Sequence, residues 1–167
     1  FFNSLSALPD LTLVLGGLRR QDSVAAALAQ IQTDRLVENV IVHDAARPLC
    51  STTLISRVIR ALEHYQAVIP VIPLKDTIRQ INEDQVKLIN RQNYVATQTP
   101  QGFHLSPYWQ ATLKSQREDW EVTDDASLLE KTGIPVHLIP GEETNLKITT
   151  PLDLEFARFL SNHYLNN

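Results

Sequence analysis

Short apolar runs alternate along the chain with stretches whose apolar residues recur every three or four positions. That alternation predicts an α/β sheet. Leu11 to Leu15 (LTLVL) reads as a strand ending at Gly16-Gly17. Asp22 or Ser23 then caps a helix with Val24, Leu28 and Ile31 on its inner face. A second strand covers Asn39 to Val42 and empties into His43-Asp44-Ala45-Ala46-Arg47-Pro48. Ser51 caps the next helix, where Leu54, Ile55, Val58, Ile59 and Leu62 keep a 3.6-residue period. Ala67 to Leu74 (AVIPVIPL) is a strand, and Pro70 and Pro73 place it partly at an edge or bulge.

Residues 76–92 (DTIRQINEDQVKLINRQ) predict a β-hairpin, with Asn82-Glu83-Asp84 as its turn. Apolar residues are thin on both of its faces, so a projecting arm that packs on another subunit fits better than a strand of the main sheet. Tyr94 to Thr99 is a further strand, stopped at Pro100. Ser106-Pro107 starts a helix, with proline at the first helical position. Thr123-Asp124-Asp125 starts another that ends near Gly133. Pro135 to Ile139 and Asn145 to Thr149 read as the last strands. Thr150-Pro151 opens a C-terminal helix offering Leu154, Phe156, Ala157 and Leu160 to the core. No repeat or linker divides residues 1–167, so one domain is expected.

Composition narrows the function classes. The 167 residues, 43% hydrophobic and 20% charged, can build an ordinary core. No apolar run approaches the roughly 20 residues that span a bilayer, so no membrane partner is expected. A net charge of −4 argues against nucleic acid. It leaves room for an anionic small substrate, because a few Arg and Lys can dominate a pocket. The single cysteine, Cys50, cannot form an internal disulfide, which suits a reducing cytoplasm. The chain has no methionine and opens on Phe1-Phe2-Asn3, suggesting that it begins inside a longer gene product.

The five histidines show no i, i+4 pairing of the kind zinc sites use. The phosphate loop of ATPases and the G-x-G-x-x-G fingerprint are both absent. In open α/β sheets, ligands bind beyond the carboxyl ends of strands. Five polar clusters fall at such ends: Gly16-Gly17 through Ser23, HDAARP, Asp76-Thr77, Thr97 to Gln101, and Asn145-Leu146-Lys147. Each has a plain structural reading. Gly-Gly can be only a turn, Asp44 an Asx-turn acceptor, Arg47 a surface residue, Asp76-Thr77 a hairpin start and Lys147 a snorkelling lysine. Taken together they point to a site for phosphates.

These clusters also occur in one order and spacing with GG-x-x-R-x-DSV (16–24), HDAARP (43–48), Asp76-Thr77, Arg91 ahead of TPQ-x-F (99–103), TDDAS (123–127) and NLKIT-x-P-x-DL (145–154). Over about Leu11 to Phe159 the chain resembles the 2-C-methyl-D-erythritol 4-phosphate cytidylyltransferases of the non-mevalonate isoprenoid pathway. Ribitol-5-phosphate cytidylyltransferases share much of the pattern. A third alternative is a non-catalytic fragment that dimerises or binds nucleotide.

The resemblance implies a Rossmann-like nucleotidyltransferase fold: a three-layer, mostly parallel sheet with a β-hairpin arm that embraces a second subunit of a homodimer. It implies transfer of cytidylyl from CTP to a polyol phosphate with Mg²⁺, releasing pyrophosphate. Gly17 and Ser23 would touch the cytidine half of CTP. Asp44, with Ala45, would lie at the sugar, the metal and substrate hydroxyls. Arg47, Thr77 and Thr99 would line the polyol phosphate pocket. Arg91 and Lys147 would position the attacking phosphate, and Thr77 or Arg91 would serve the neighbouring chain. Asp124 and Asp125 are expected to be helix caps and scaffold. The family's glycine-rich A-A-G-x-G-x-R-M loop and P-K-Q segment have no match here. The N-terminal strand and triphosphate cradle are therefore expected to be missing, leaving these 167 residues alone with little turnover.

Overall fold

The computed structural model describes residues 11–82 and 85–164. The main sheet has the strand order β1-β6-β2-β5, with β7 pairing on the other side of β2. Its strands are β1 (Asn39–Val42), β2 (Ala67–Pro73), β5 (Val95–Thr97), β6 (Gln101–His104) and β7 (His137–Pro140). The helices are α1 (Arg20–Ile31), α2 (Thr52–Ala61), α3 (Leu105–Arg117), α4 (Ala126–Lys131) and α5 (Pro151–Tyr164).

Alternation along β2 sends side chains to both faces of the sheet. Ala67 and Ile69 join Leu28 of α1, Tyr108 and Ala111 of α3 and Leu129 of α4 in one core. Val68 joins Val58, Leu62 and Ile139 in a second core under α2. Helices on both faces make three layers, as expected for an α/β domain.

The sheet is mixed rather than mostly parallel. Among the described residues β2–β7 pairs in parallel, while β1–β6, β2–β6 and β2–β5 are antiparallel. The reason is the segment from Tyr94 to His104. It does not stop at Pro100 but continues in the same direction along β2, entering between β1 and β2 as the strand β6 that its Gln-Gly opening concealed.

The same segment explains how proline sits in a central strand. Val68 pairs with Gly102 and Val71 with Thr97, so two residues of β2 face four of the β5–β6 segment. Pro70 falls in that gap, where no ladder N–H is required, and its carbonyl accepts from the Gln98 N–H at 2.8 Å. The expected bulge is present, but the strand is central rather than at an edge. The surplus residues include Gln98 and Thr99, which the bulge turns towards the site.

Three further expectations change. Leu11 to Leu15 forms no strand; these leucines are exposed and have no ladder partner among the described residues. Asn145 to Thr149 is a loop; the Asn145 side chain is fully buried and its Nδ2 donates to the Thr99 carbonyl at 2.8 Å. Of the residues that α5 was to bury, Ala157 is buried whereas Leu154 and Phe156 are exposed. Two helix starts are also refined. Arg19 is the N-cap of α1, with Asp22 accepting from its backbone N–H at 3.1 Å. Pro107 sits at the third position of α3, not the first. Ser51 caps α2 as expected, accepting from the Leu54 N–H at 2.9 Å.

The hairpin forms as its own two-stranded sheet, β3 (Ile78–Asn82) with β4 (Gln85–Ile89). The Glu83-Asp84 part of its expected turn lies outside the described residues. Register puts Ile81 opposite Val86 and Arg79 opposite Leu88, so one face collects three exposed apolar side chains. Ile78 pairs with Ile89 on the opposite face, so both faces carry some apolar residues and the more exposed set is Ile81, Val86 and Leu88.

Candidate active site

The carboxyl end of β1 opens into a tight turn in which the Arg47 N–H bonds to the Asp44 carbonyl at 2.9 Å. The turn points both side chains into a pocket of about 200 Å³. Arg20, Gln98, Thr99, Gln101, Asp124 and Lys147 also line it. Three cations converge on the Asp44 carboxylate. Lys147 Nζ lies 3.1 Å from Oδ2, Arg20 Nη2 3.5 Å from Oδ1 and Arg47 Nε 4.0 Å from Oδ2. Burial alone would raise the Asp44 pKa, but the hydrogen bond and charge of Lys147 outweigh it, helped by Arg20 and Arg47. The carboxyl is held below its usual value. Burial lowers the pKa of Arg47 while Asp44 opposes it, and the guanidinium stays charged at neutral pH.

Each cation has its own support. Arg47 Nη1 donates to the Asn145 carbonyl at 2.8 Å. Lys147 is carried by the 141–147 loop, which Gln98 fastens to the sheet. The Gln98 amide oxygen accepts from the Glu142 N–H at 3.0 Å, and its NH₂ donates to the Glu142 carbonyl at 2.8 Å. Only glycine fits at position 141, because a Cβ there would stand 2.5 Å from Gln98 Oε1 and 3.1 Å from the Val71 carbonyl. The Ile148 N–H then bonds the Ala46 carbonyl at 2.8 Å, tying this loop to the turn after β1.

Arg20 is anchored from behind. Its Nη1 lies 2.7 Å from Asp125 Oδ2, and the Tyr108 hydroxyl donates to Oδ1 of the same buried carboxylate. Burial works against the charge on Arg20, but Asp125 and then Asp44 prevail and its pKa is raised. Burial, reinforced by Asp125, pushes the Tyr108 hydroxyl far up. Asp124 caps α4 by accepting from the Ser127 N–H at 3.1 Å. Asp125 caps nothing with its side chain; it is the buried counter-ion of Arg20.

Not every predicted residue reaches this pocket. Asp44, Arg47, Thr99 and Lys147 meet there. Gly17 and Ser23 form a neighbouring unit, with the Gly17 N–H donating to Ser23 Oγ at 3.0 Å. A Cβ on Gly17 would lie 2.4 Å from the Asp22 Cβ, so glycine lets the loop fold onto α1. Ser23 lines a groove of about 320 Å³ between α1 and β1, with His43 at one end. Ala45 is exposed at the turn tip. Thr77 and Arg91 sit at the root of the hairpin, where Arg91 Nη1 donates to the Lys75 carbonyl. Sequence reasoning assigned no role to Arg20, Gln98, Gln101, Asn145 or His43, although all but Gln98 fall inside the quoted motifs.

Arg47 Nε, Gln101 Oε1 and Asn145 Oδ1 are buried without a hydrogen-bond partner. Orphaned polar atoms are unusual in folded proteins, and two of these residues, Arg47 and Gln101, line the pocket. Among the described residues no group of three or more His, Cys, Asp or Glu could hold a metal ion, and no helix is long and apolar enough to cross a membrane.

A sequence profile described as IspD, 2-C-methyl-D-erythritol 4-phosphate cytidylyltransferase, matches residues 1–163. A relative of that name from Nostoc sp. (strain PCC 7120) is 42% identical over 167 residues, covering 96% of this chain and 72% of the relative. One from Synechocystis sp. (strain PCC 6803) is 44% identical over 150 residues, covering 89% of this chain and 64% of the relative. Among solved structures, the 2-C-methyl-D-erythritol 4-phosphate cytidylyltransferase of Thermus thermophilus superposes with a TM-score of 0.81 at 34% identity, covering 93% of this chain and 79% of that one. The 4-diphosphocytidyl-2C-methyl-D-erythritol synthase of Anaerococcus prevotii superposes with a TM-score of 0.86 at 32% identity, covering 99% of this chain and 75% of that one.

Proposed function

Because the chain belongs to the 2-C-methyl-D-erythritol 4-phosphate cytidylyltransferase family, we propose that the pocket around Asp44 receives the reacting phosphates of CTP and the polyol phosphate. The enzyme transfers cytidylyl from CTP to 2-C-methyl-D-erythritol 4-phosphate. A phosphate oxygen of the polyol phosphate attacks the α-phosphorus, the bond to the β-phosphate bridging oxygen breaks, and the electron pair leaves on pyrophosphate. Such a displacement asks the protein for positioning and charge neutralisation rather than a nucleophile.

The observation that carries this reading is the convergence of Arg20, Arg47 and Lys147 within 4.0 Å of one carboxylate. Without ligand, Asp44 is the anion these cations share. An arriving phosphate competes for them, and Lys147, nearly half exposed, is the one free to turn towards it. Arg47, held by the Asn145 carbonyl, supplies the fixed charge.

Asp44 is also the residue to hold Mg²⁺. Magnesium is usually held by one or two carboxylates together with substrate phosphates, so the Asp44 carboxylate lining this pocket would fit an ion that arrives with CTP. The chemistry that ion supplies when bound is neutralisation of phosphate charge. Gly17 and Ser23 flank the groove beside the pocket, which suits the cytidine half, and Ala45 lies at the turn facing the sugar.

Thr77 and Arg91, at the root of the hairpin, serve the pocket of a second copy across a homodimer. An isolated two-stranded hairpin is marginal in water, and the exposed Ile81, Val86 and Leu88 are an apolar face for a partner. Light scattering is expected to show a dimer at micromolar concentration and a monomer for Ile81→Asp. A monomeric parent protein would remove the arm from the account.

The activity is checked by offering CTP with either polyol phosphate to the gene product that carries this chain. Pyrophosphate release with methylerythritol phosphate, and little with ribitol 5-phosphate, is expected. Preference for ribitol phosphate would overturn the substrate assignment.

A further inference from the structure

His43 touches neither Lys147 nor Arg20, yet both of its ring nitrogens are engaged with residues of the pocket. Nε2 lies 3.0 Å from the Arg47 carbonyl and Nδ1 lies 3.0 Å from Thr99 Oγ1. The same hydroxyl oxygen accepts from the Asp44 N–H at 3.0 Å. These contacts allow only one arrangement of protons on a neutral ring. A carbonyl can only accept, so Nε2 carries the ring proton and Nδ1 is a bare lone pair. The Thr99 hydroxyl must then donate to Nδ1. The chain runs one way, from the Asp44 N–H to Thr99 Oγ1–H to His43 Nδ1, with His43 Nε2–H closing onto Arg47.

The consequence falls on Thr99. Its oxygen is bonded to Cβ, gives its proton to His43 and uses one lone pair on the Asp44 N–H. What remains is a single lone pair on a residue that lines the pocket. An ionised phosphate oxygen offers no proton to that lone pair, whereas a substrate hydroxyl does. We propose that His43 is a positioning residue that draws the Thr99 proton out of the pocket and makes Thr99 an acceptor for a hydroxyl of the polyol. This rests on the assignment of the polyol phosphate to this pocket. It divides the labour there: the cations hold the phosphate and Thr99 reads the carbon chain.

Steady-state kinetics on the gene product that carries this chain test it. His43→Ala is expected to raise KM for methylerythritol phosphate about tenfold, the worth of about one hydrogen bond. KM for CTP should rise clearly less, since His43 lies only at the end of the groove assigned to cytidine. The two amide variants separate the ring nitrogens. His43→Asn can place its amide oxygen where Nδ1 was and should keep most of the affinity. His43→Gln can still donate to the Arg47 carbonyl but offers Thr99 nothing, and should behave as alanine. Thr99→Val should raise the same KM, and adding His43→Ala to it should cost less than about twofold more, because the two side chains act as one unit.

Rescue by Gln and not by Asn would mean that His43 works through the Arg47 carbonyl and would overturn the proposal. So would additive losses, or an equal rise in KM for CTP. If Thr99→Val raises KM and His43→Ala does not, only the role of His43 falls. If Thr99→Val is itself silent, the polyol phosphate does not lie here and the functional placement falls with it.

Discussion

Replacing Lys147 with alanine is expected to cut turnover roughly 100- to 1000-fold, the usual cost of deleting one charge-stabilising donor from a transfer site. The fold should not notice. The Lys147 side chain is 46% exposed and pairs with Asp44. A pair open to solvent on the lysine side contributes about 1 kcal/mol. Asp44 also keeps Arg20 and Arg47 close by. The measurement is kcat and KM beside a thermal unfolding curve. A large fall in rate with an unmoved midpoint is the expected pair of results. An unchanged rate would return Lys147 to the many lysines that merely solvate a loop.

Arg20→Met is expected to destabilise the protein by about 3 kcal/mol, for the opposite reason. Asp125 is 2% exposed as a side chain, and its two oxygens face Arg20 and the Tyr108 hydroxyl. Removing the guanidinium leaves a buried carboxylate with one neutral donor, and breaking such a pair typically costs about 3–5 kcal/mol. Arg20 itself is 39% exposed, which places the effect towards the low end. Pairing the change with Asp125→Asn removes the stranded charge and should recover at least half of the loss, because contacting residues are not additive. Urea unfolding of the two single variants and the double one reads this directly. Equal and additive losses would mean that the Arg20–Asp125 contact contributes packing and little electrostatic energy.

Much of the site was legible because its residues break local rules. A carboxylate and a guanidinium where a buried strand empties, and a lysine within an apolar segment, have no propensity explanation at their positions. Asp44, Arg47 and Lys147 stood out for that reason and do meet. The capped helix from Ser51 was legible because cap and period agree over ten residues. What sequence hid was decided by distant partners. Gln101 to His104 has the pattern of a loop and becomes a strand only because β1 and β2 pair with it on either side. LTLVL has the pattern of a strand and is none, since pairing needs a neighbour that none of the described residues supplies. Pro70 looked like an edge marker and is central, because the bulge opposite it removes the need for its N–H. Arg20 and Asp125 carried a signal that went unused. Each is a charge inside one of the quoted motifs, and they have opposite signs.

The central claim is that groups from α1, the β1 turn, the β5–β6 segment and the 141–147 loop make one phosphate site. A crystal structure of the gene product that carries this chain, grown with methylerythritol phosphate, tests this most directly. The substrate phosphate should lie within about 3 Å of Arg47 and Lys147, with Lys147 turned away from Asp44. A phosphate bound elsewhere, with the Lys147–Asp44 pair intact, would contradict the account.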